Sequence, residues 1–218
     1  MTEQAHYVPA LGRPELTRAY DLVLALVSRE GRWRQALLSA LAPRDGELIV
    51  DIGCGTGSQA IAIKRARPGV RMVGIDPDPT VLAIARAKAQ RAGVEIEWRQ
   101  GLGDQADALV GRQVADAVIS SLVLHQCDVP VKAAILQAMA RTVRPGGRVL
   151  IADYGRQRGL MRLLFRFVQA VDGFERTEFN AVGALPGLMR SSGLSAVSER
   201  DRIATPSGSI SIYETRAG

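Results

Sequence analysis

Residues 47–52 (Glu-Leu-Ile-Val-Asp-Ile) form an almost unbroken apolar run that passes directly into Gly53-Cys54-Gly55-Thr56-Gly57, after which a helical stretch opens at Ser58. A strand with no polar alternation needs cover on both faces, and a parallel sheet sandwiched between helices provides it. A glycine loop between such a strand and a helix allows positive φ and a close approach to a ligand, with unpaired helix N–H groups behind it. The rest of the chain must then supply strands and helices in alternation.

It does so. Strands are expected at 70–75, 94–99, 114–120 and 148–153, the last entered through Pro145-Gly146-Gly147. Between them lie helices at 58–66, 79–91 and 131–143; Asp78-Pro79 reads as N-cap and first turn of the second, and Gly93 closes it. A helix at 33–41 precedes the first strand. A further lead-in helix starts near Pro14, with Leu16, Tyr20, Leu22, Val23, Leu26 and Val27 close to helical spacing. After Asp153 the pattern changes. Leu160, Leu163, Leu164, Phe167, Val168 and Val171 make an apolar helical stripe, with Arg158, Arg162 and Arg166 opposite. A helix, a strand at 196–203, a Pro206-Ser207-Gly208 turn and alternating Ile210, Ile212 and Tyr213 read as an antiparallel hairpin. The expected fold is α/β, a Rossmann-like doubly wound mixed sheet with a C-terminal antiparallel hairpin and an N-terminal helical lead-in. One domain over 1–218 is expected, divided into a helical cap (1–42), a cofactor-binding core (43–155) and substrate-side helices with the terminal hairpin (156–218).

Composition narrows the function. The 218 residues are 47% hydrophobic, enough for a core, and two cysteines, at 54 and 127, supply neither a disulfide framework nor a zinc spacing. The N-terminus lacks a signal-peptide pattern and no apolar run reaches the ~18–20 residues of a membrane span, so a cytoplasmic protein is expected. The net charge of +6 favours an anionic partner, but aromatics are only 5% and no dense Lys/Arg cluster interleaves with them, which argues against nucleic acid. No metal site is expected, and the oligomeric state stays open.

The loop spacing discriminates between cofactors. A dinucleotide fingerprint, G-x-G-x-x-G/A, requires Gly or Ala at position 58, where this chain has Ser. The pattern is G-x-G-x-G, with Asp51 two residues before it, and a carboxylate there would repel pyrophosphate and suit a cationic ligand. Asp76, at the end of the second strand, is placed to accept both hydroxyls of a ribose.

With these residues the chain resembles the class I S-adenosylmethionine-dependent methyltransferases. The resemblance rests on D-I-G-C-G-T-G at 51–57, Gly74-Ile75-Asp76, the segment Ala115 to Ser121, and Arg144-Pro145-Gly146-Gly147; it covers about 34–153 and implies a seven-stranded sheet. Tyr20-Asp21 and Ser121-Leu122-Val123-Leu124-His125 resemble most the ubiquinone/menaquinone C-methyltransferase branch. The resemblance implies S-adenosyl-L-methionine as cofactor. Asp51, Gly53, Cys54, Gly55, Thr56 and Gly57 would line its methionine end, Asp76 its ribose and Pro77 its adenine, with Tyr20 and Ser120 also at the site. At the adenine edge the family commonly places an acid; here Gly101-Leu102 stands, so either Asp104 substitutes or the contact is through backbone.

A small, partly apolar acceptor such as a quinone-like ring is expected, methylated on carbon or oxygen. His125 is the candidate general base, with Asp153 and Tyr154 behind it; hydrogen-bonded packing and capping are the alternatives for all three. Phe165, Phe167, Phe174 and Phe179 would form either an apolar lid or ordinary core. The arginine stripe would meet an anionic substrate or a membrane surface, or simply solvent. The N/D-P-P-Y/F/W loop of base and glutamine methylation is absent, and two cysteines serve arsenic methylation poorly. Two rival functions share the sheet: a nicotinamide-dependent oxidoreductase, and a non-catalytic cofactor-binding protein.

Overall fold

The computed structural model describes residues 30–216; the expected lead-in helix, Tyr20 included, lies outside them. Helix α1 (Glu30–Leu41) buries Trp33, Leu37 and Leu41, one residue per turn on a single face. Strand β1 (Leu48–Ile52) and helix α2 (Ser58–Ala66) flank the glycine loop. Then follow β2 (Arg71–Asp76), α3 (Pro79–Arg91), β3 (Glu97–Gln100), α4 (Ala106–Val110), β4 (Ala115–Ser121), α5 (Val129–Thr142) and β5 (Val143–Tyr154). Helices α6 (Gly159–Asp172), α7 (Phe174–Ala181) and α8 (Leu185–Ser191) lead to β6 (Ser198–Thr205) and β7 (Gly208–Arg216). Asp78 caps α3 as its spacing predicts, its carboxylate accepting from Thr80 N at 2.7 Å with Pro79 in the first turn.

The strand order is β3-β2-β1-β4-β5-β7-β6, with β1 to β5 parallel and β7 antiparallel to both β5 and β6. This is the expected seven-stranded mixed sheet. Its order reverses between β1 and β4, and the crevice outside the carboxyl ends of strands at such a reversal is where α/β sheets bind ligands. The loops after β1 and β4 flank that crevice.

Two apolar layers cover the sheet. Ile49, Ile119 and Leu150 face the layer that holds Trp33, Leu37 and Ile63, whereas Val50, Ile52 and Val118 face the layer of Leu136, Met139 and Leu185. Asp51 alternates with Val50 and Ile52 and so points to the first layer. Its register partner on β2 is Gly74, which pairs in turn with Trp98 on β3. A Cβ on Gly74 would stand 2.6 Å from the Trp98 ring, and one on Gly57 would stand 2.5 Å from it. The indole thus occupies the space that both glycines leave.

Three expectations are revised. Strand β3 begins at Glu97 rather than at 94. Strand β5 begins at Val143 rather than at 148: Val143 pairs with Ala115, and the Arg144-Pro145-Gly146-Gly147 segment is taken up by a register shift before Ala117 meets Arg148. The apolar stripe of α6 does not pack as a unit: of its six residues only Val168 is buried, and the buried aromatic of this helix is Phe165, outside the stripe.

Gly74→Ala is expected to destabilise the protein by about 1–3 kcal/mol, the usual cost of overpacking. Urea unfolding in a Trp98→Leu background should recover most of that loss; additive losses would show that the indole is not what excludes the Cβ.

Candidate functional site

The glycine loop is folded by its own backbone. Gly53 N and Cys54 N both donate to Ile75 O, at 2.9 and 3.0 Å, and Gly57 N donates to Cys54 O. Gly53, Gly55 and Gly57 all have positive φ. At Gly55 a Cβ would meet nothing within 4 Å, so the loop faces open space there. Cys54 is buried beside Gly74, and burial together with the charges of Asp51 and Asp76 pushes its thiol pKa far up, so it is held as a thiol.

Behind the loop Asp51 is 0% exposed, and neither of its carboxylate oxygens has a hydrogen-bond partner among the described residues. Burial pushes its pKa up to about 7, with Arg34 opposing and Asp76 adding to the rise. An unpaired carboxylate in such a place costs several kcal/mol, and a ligand cation would relieve that cost. Asp76 sits at the lip: one oxygen accepts from Gly55 N at 2.9 Å and the other from Asp78 N at 3.0 Å, and burial again raises its pKa. Each oxygen retains a lone pair for a hydroxyl. Next to it, Gln100 donates to Pro77 O and Gly101 N to Asp76 O, which bring the ends of β2 and β3 together. Leu102 is exposed, with its N–H turned to Gln105, while Asp104 buries one carboxylate oxygen without a partner.

Two predicted side chains are engaged within the protein. Thr56 Oγ accepts from Lys88 Nζ at 3.0 Å, and the same ammonium reaches Ser58 Oγ. Ser120 Oγ donates to Ile52 O at 2.8 Å, stitching β4 to β1 at the reversal point.

Across the crevice His125, Asp153 and Tyr154 come together, all buried. His125 Nδ1 lies 2.9 Å from Asp153 Oδ1, and Nε2 lies 3.5 Å from Asp172 Oδ2 at the end of α6. Burial alone would lower the imidazole pKa, but the charge and hydrogen bond of Asp153, joined by Asp172, lift it to about 9. Asp153 also accepts from Leu124 N, Tyr154 N and Asn180 Nδ2. The Tyr154 ring meets His125 edge-on at 4.9 Å, and its hydroxyl lies 2.8 Å from Ser207 Oγ. Leu122, just before this cluster, has φ +56, a strained value for a branched side chain. Sequence reading missed Arg34, Lys88, Asp172 and Asn180. Each reaches the site from another element, and no local motif marks it.

Residues 49–147 match a family model described as a methyltransferase domain. The chain is 32% identical over 145 residues to a demethylmenaquinone methyltransferase of Thermus thermophilus, covering 64% of this chain and 63% of that protein. It is 35% identical over 111 residues to a ubiquinone biosynthesis O-methyltransferase of Aeromonas salmonicida, covering 51% and 44%. The chain therefore spans less than two thirds of the length of these curated relatives. A solved O-methyltransferase family protein from Burkholderia thailandensis superposes with a TM-score of 0.66 at 20% identity over 86% of this chain and 57% of that one, which shows a shared fold.

The His125 pKa gives a pH signature. A group whose pKa is raised on folding stabilises the fold fully below its unfolded pKa, near 6.5, and loses that contribution as pH climbs through about 9. The stability gap between the wild type and His125→Gln, from urea unfolding, is expected to be widest at pH 6, on the order of 2 kcal/mol, and to narrow steadily up to pH 9.5. A gap that widens with pH would exclude a buried imidazolium.

Proposed function

We propose that this chain is an S-adenosylmethionine-dependent methyltransferase that transfers a methyl group to a small, partly apolar acceptor such as a quinone-like ring, on carbon or oxygen. The observation that carries the reading is the pair of fully buried Asp51 oxygens, unpartnered among the described residues, behind the glycine loop at the sheet's reversal point. A buried anion there fits the ammonium of an amino-acid tail and repels a pyrophosphate. The curated relatives, named as quinone-pathway methyltransferases, support the acceptor class. A cytoplasmic setting accords with the described residues, in which no helix is long and apolar enough to cross a membrane.

S-Adenosylmethionine, when bound, supplies a sulfonium methyl that is already electrophilic. The protein's work is to hold, orient and exclude water. In this reading Asp51 takes the ammonium, the backbone of Gly53, Cys54, Gly55 and Gly57 cradles the methionine end, Asp76 accepts from the ribose hydroxyls, and Pro77, Gly101 and Leu102 border the adenine. Thr56 and Ser120 shape the loop and strand edge through their bonds to Lys88 and Ile52. His125 holds its proton at neutral pH between two carboxylates, Asp153 is filled by four donors and Tyr154 OH faces Ser207. We therefore read all three as positioning residues for the acceptor side, and not as proton acceptors.

Calorimetric titration with S-adenosylhomocysteine tests the cofactor reading. Asp76→Ala should weaken binding by a factor of ten or more, about 1.4 kcal/mol. Because Asp51 must be ionised to meet an ammonium, wild-type affinity should rise between pH 5.5 and 7.5, through the carboxyl's pKa of about 7. That pH dependence should vanish in Asp51→Asn. Binding of NAD(H) in place of the adenosyl ligands would overturn the assignment.

Once an acceptor is found, a pH–rate profile checks the three positioning residues. A His125→Asn variant that loses a rise of kcat with pH through about 9, and recovers it with added imidazole, would make His125 the base after all.

A further inference from the structure

Helix α6 carries a second apolar face that the core does not use. Leu160, Leu163, Phe167 and Val171, at helical spacing, are 65, 61, 54 and 40% exposed, and Phe174 at the start of α7 continues the row at 59%. Isolated exposed apolar residues are ordinary, but a continuous row of five large ones marks an interaction surface. Its chemistry is set by what flanks it. At the N-terminal end of the row lies a shallow groove of about 380 Å³, lined by Arg156, Arg158 and Arg162 and bordered by the exposed Val182. Arg162 is engaged with Glu178 and keeps Nη1 without a partner among the described residues. Arg156, Arg158 and Arg166 are exposed and enter no ion pair among the described residues.

We propose that α6 is an interfacial helix that docks the protein on an anionic lipid surface. Leu160, Leu163, Phe167, Val171 and Phe174 enter the boundary between headgroups and acyl chains, while Arg156, Arg158 and Arg166 meet lipid phosphates. An amphipathic helix with aromatic and leucine residues on one side and arginines beside them binds membranes through both buried apolar area and attraction to anionic lipid. A second copy of the same face is a poor occupant, because a two-fold contact would set these unpaired arginines against their own copies. The surface is also joined to the site. Val171, the last of the row on α6, stands one residue before Asp172, whose carboxylate meets His125 at the crevice edge. The inference does not depend on methyl transfer, since partitioning onto a membrane needs no turnover.

The test is co-sedimentation of the full chain with vesicles of phosphatidylcholine alone and of phosphatidylcholine mixed with phosphatidylglycerol, at low and high salt. Binding is expected on the anionic vesicles and is expected to weaken with salt. The paired substitutions Leu163→Ser/Phe167→Ser and Arg158→Glu/Arg166→Glu should each reduce it ten-fold or more, with thermal melting showing that both variants stay folded. Wild-type protein that ignores anionic vesicles, or variants that bind as well as wild type, would overturn the proposal. So would a fall in molecular mass in the Leu163→Ser/Phe167→Ser variant, which would assign the face to a second copy. The proposal equally fails if that variant melts lower while the wild type does not partition, because residues 1–29 would then be the occupant. Release of the wild type by soluble glycerol phosphate, with the apolar variant still binding, would reduce the groove to a site for free anions and also count against docking.

Discussion

A carboxylate buried on the central strand, with nothing to bond among the described residues, is the constraint around which the rest of this structure is arranged. Asp51 cannot be ionised cheaply in that place, and the protein responds by raising its pKa to about 7. A hydrophobic residue at position 51 would be simpler for folding. On the proposed reading the acid has its use where β1 ends at the reversal of strand order, the place at which a ligand cation would approach across the glycine loop. The neighbouring choices follow from the same need. Gly74 beside Asp51 leaves room on the second strand, Trp98 fills that volume, and Gly57 lets the loop pass close to the indole.

The opposite side of the crevice is governed by a second buried charge set, and there every charge is paired. Asp153 gathers donors from the β4 loop, from its own strand and from α7, and His125 bridges it to Asp172 on α6. Removing one partner from such a network strands another charge in low dielectric, so the network holds α6 and α7 against the sheet edge. The contrast between the two sides is informative. The unpaired acid lies where a ligand is expected, and the cluster in which Asp153 and His125 are paired lies where a scaffold is expected.

The alternation of strands and helices, the Asp78 cap and the glycine loop were legible because each is written in neighbouring residues. Asp51 and Asp76 were legible as well, since strand ends and loop spacing place them. Position alone could not show that Asp153 is saturated, that Tyr154 turns its hydroxyl to Ser207, or that Thr56 and Ser120 are engaged by Lys88 and Ile52. The α6 stripe shows the same limit. Its spacing is helical and apolar throughout, yet of its six residues only Val168 is buried.

The sequence by itself determined the layered α/β fold, the loop at the end of β1 and the two acids beside it, because hydrophobic periodicity and backbone freedom act over a few residues. Only the tertiary structure decided which polar groups remain unpartnered and which apolar face stays open. Those properties depend on what distant segments bring to the same point: Arg34, Lys88, Asp172 and Asn180 reach the crevice from four different helices, and no local pattern encodes that convergence.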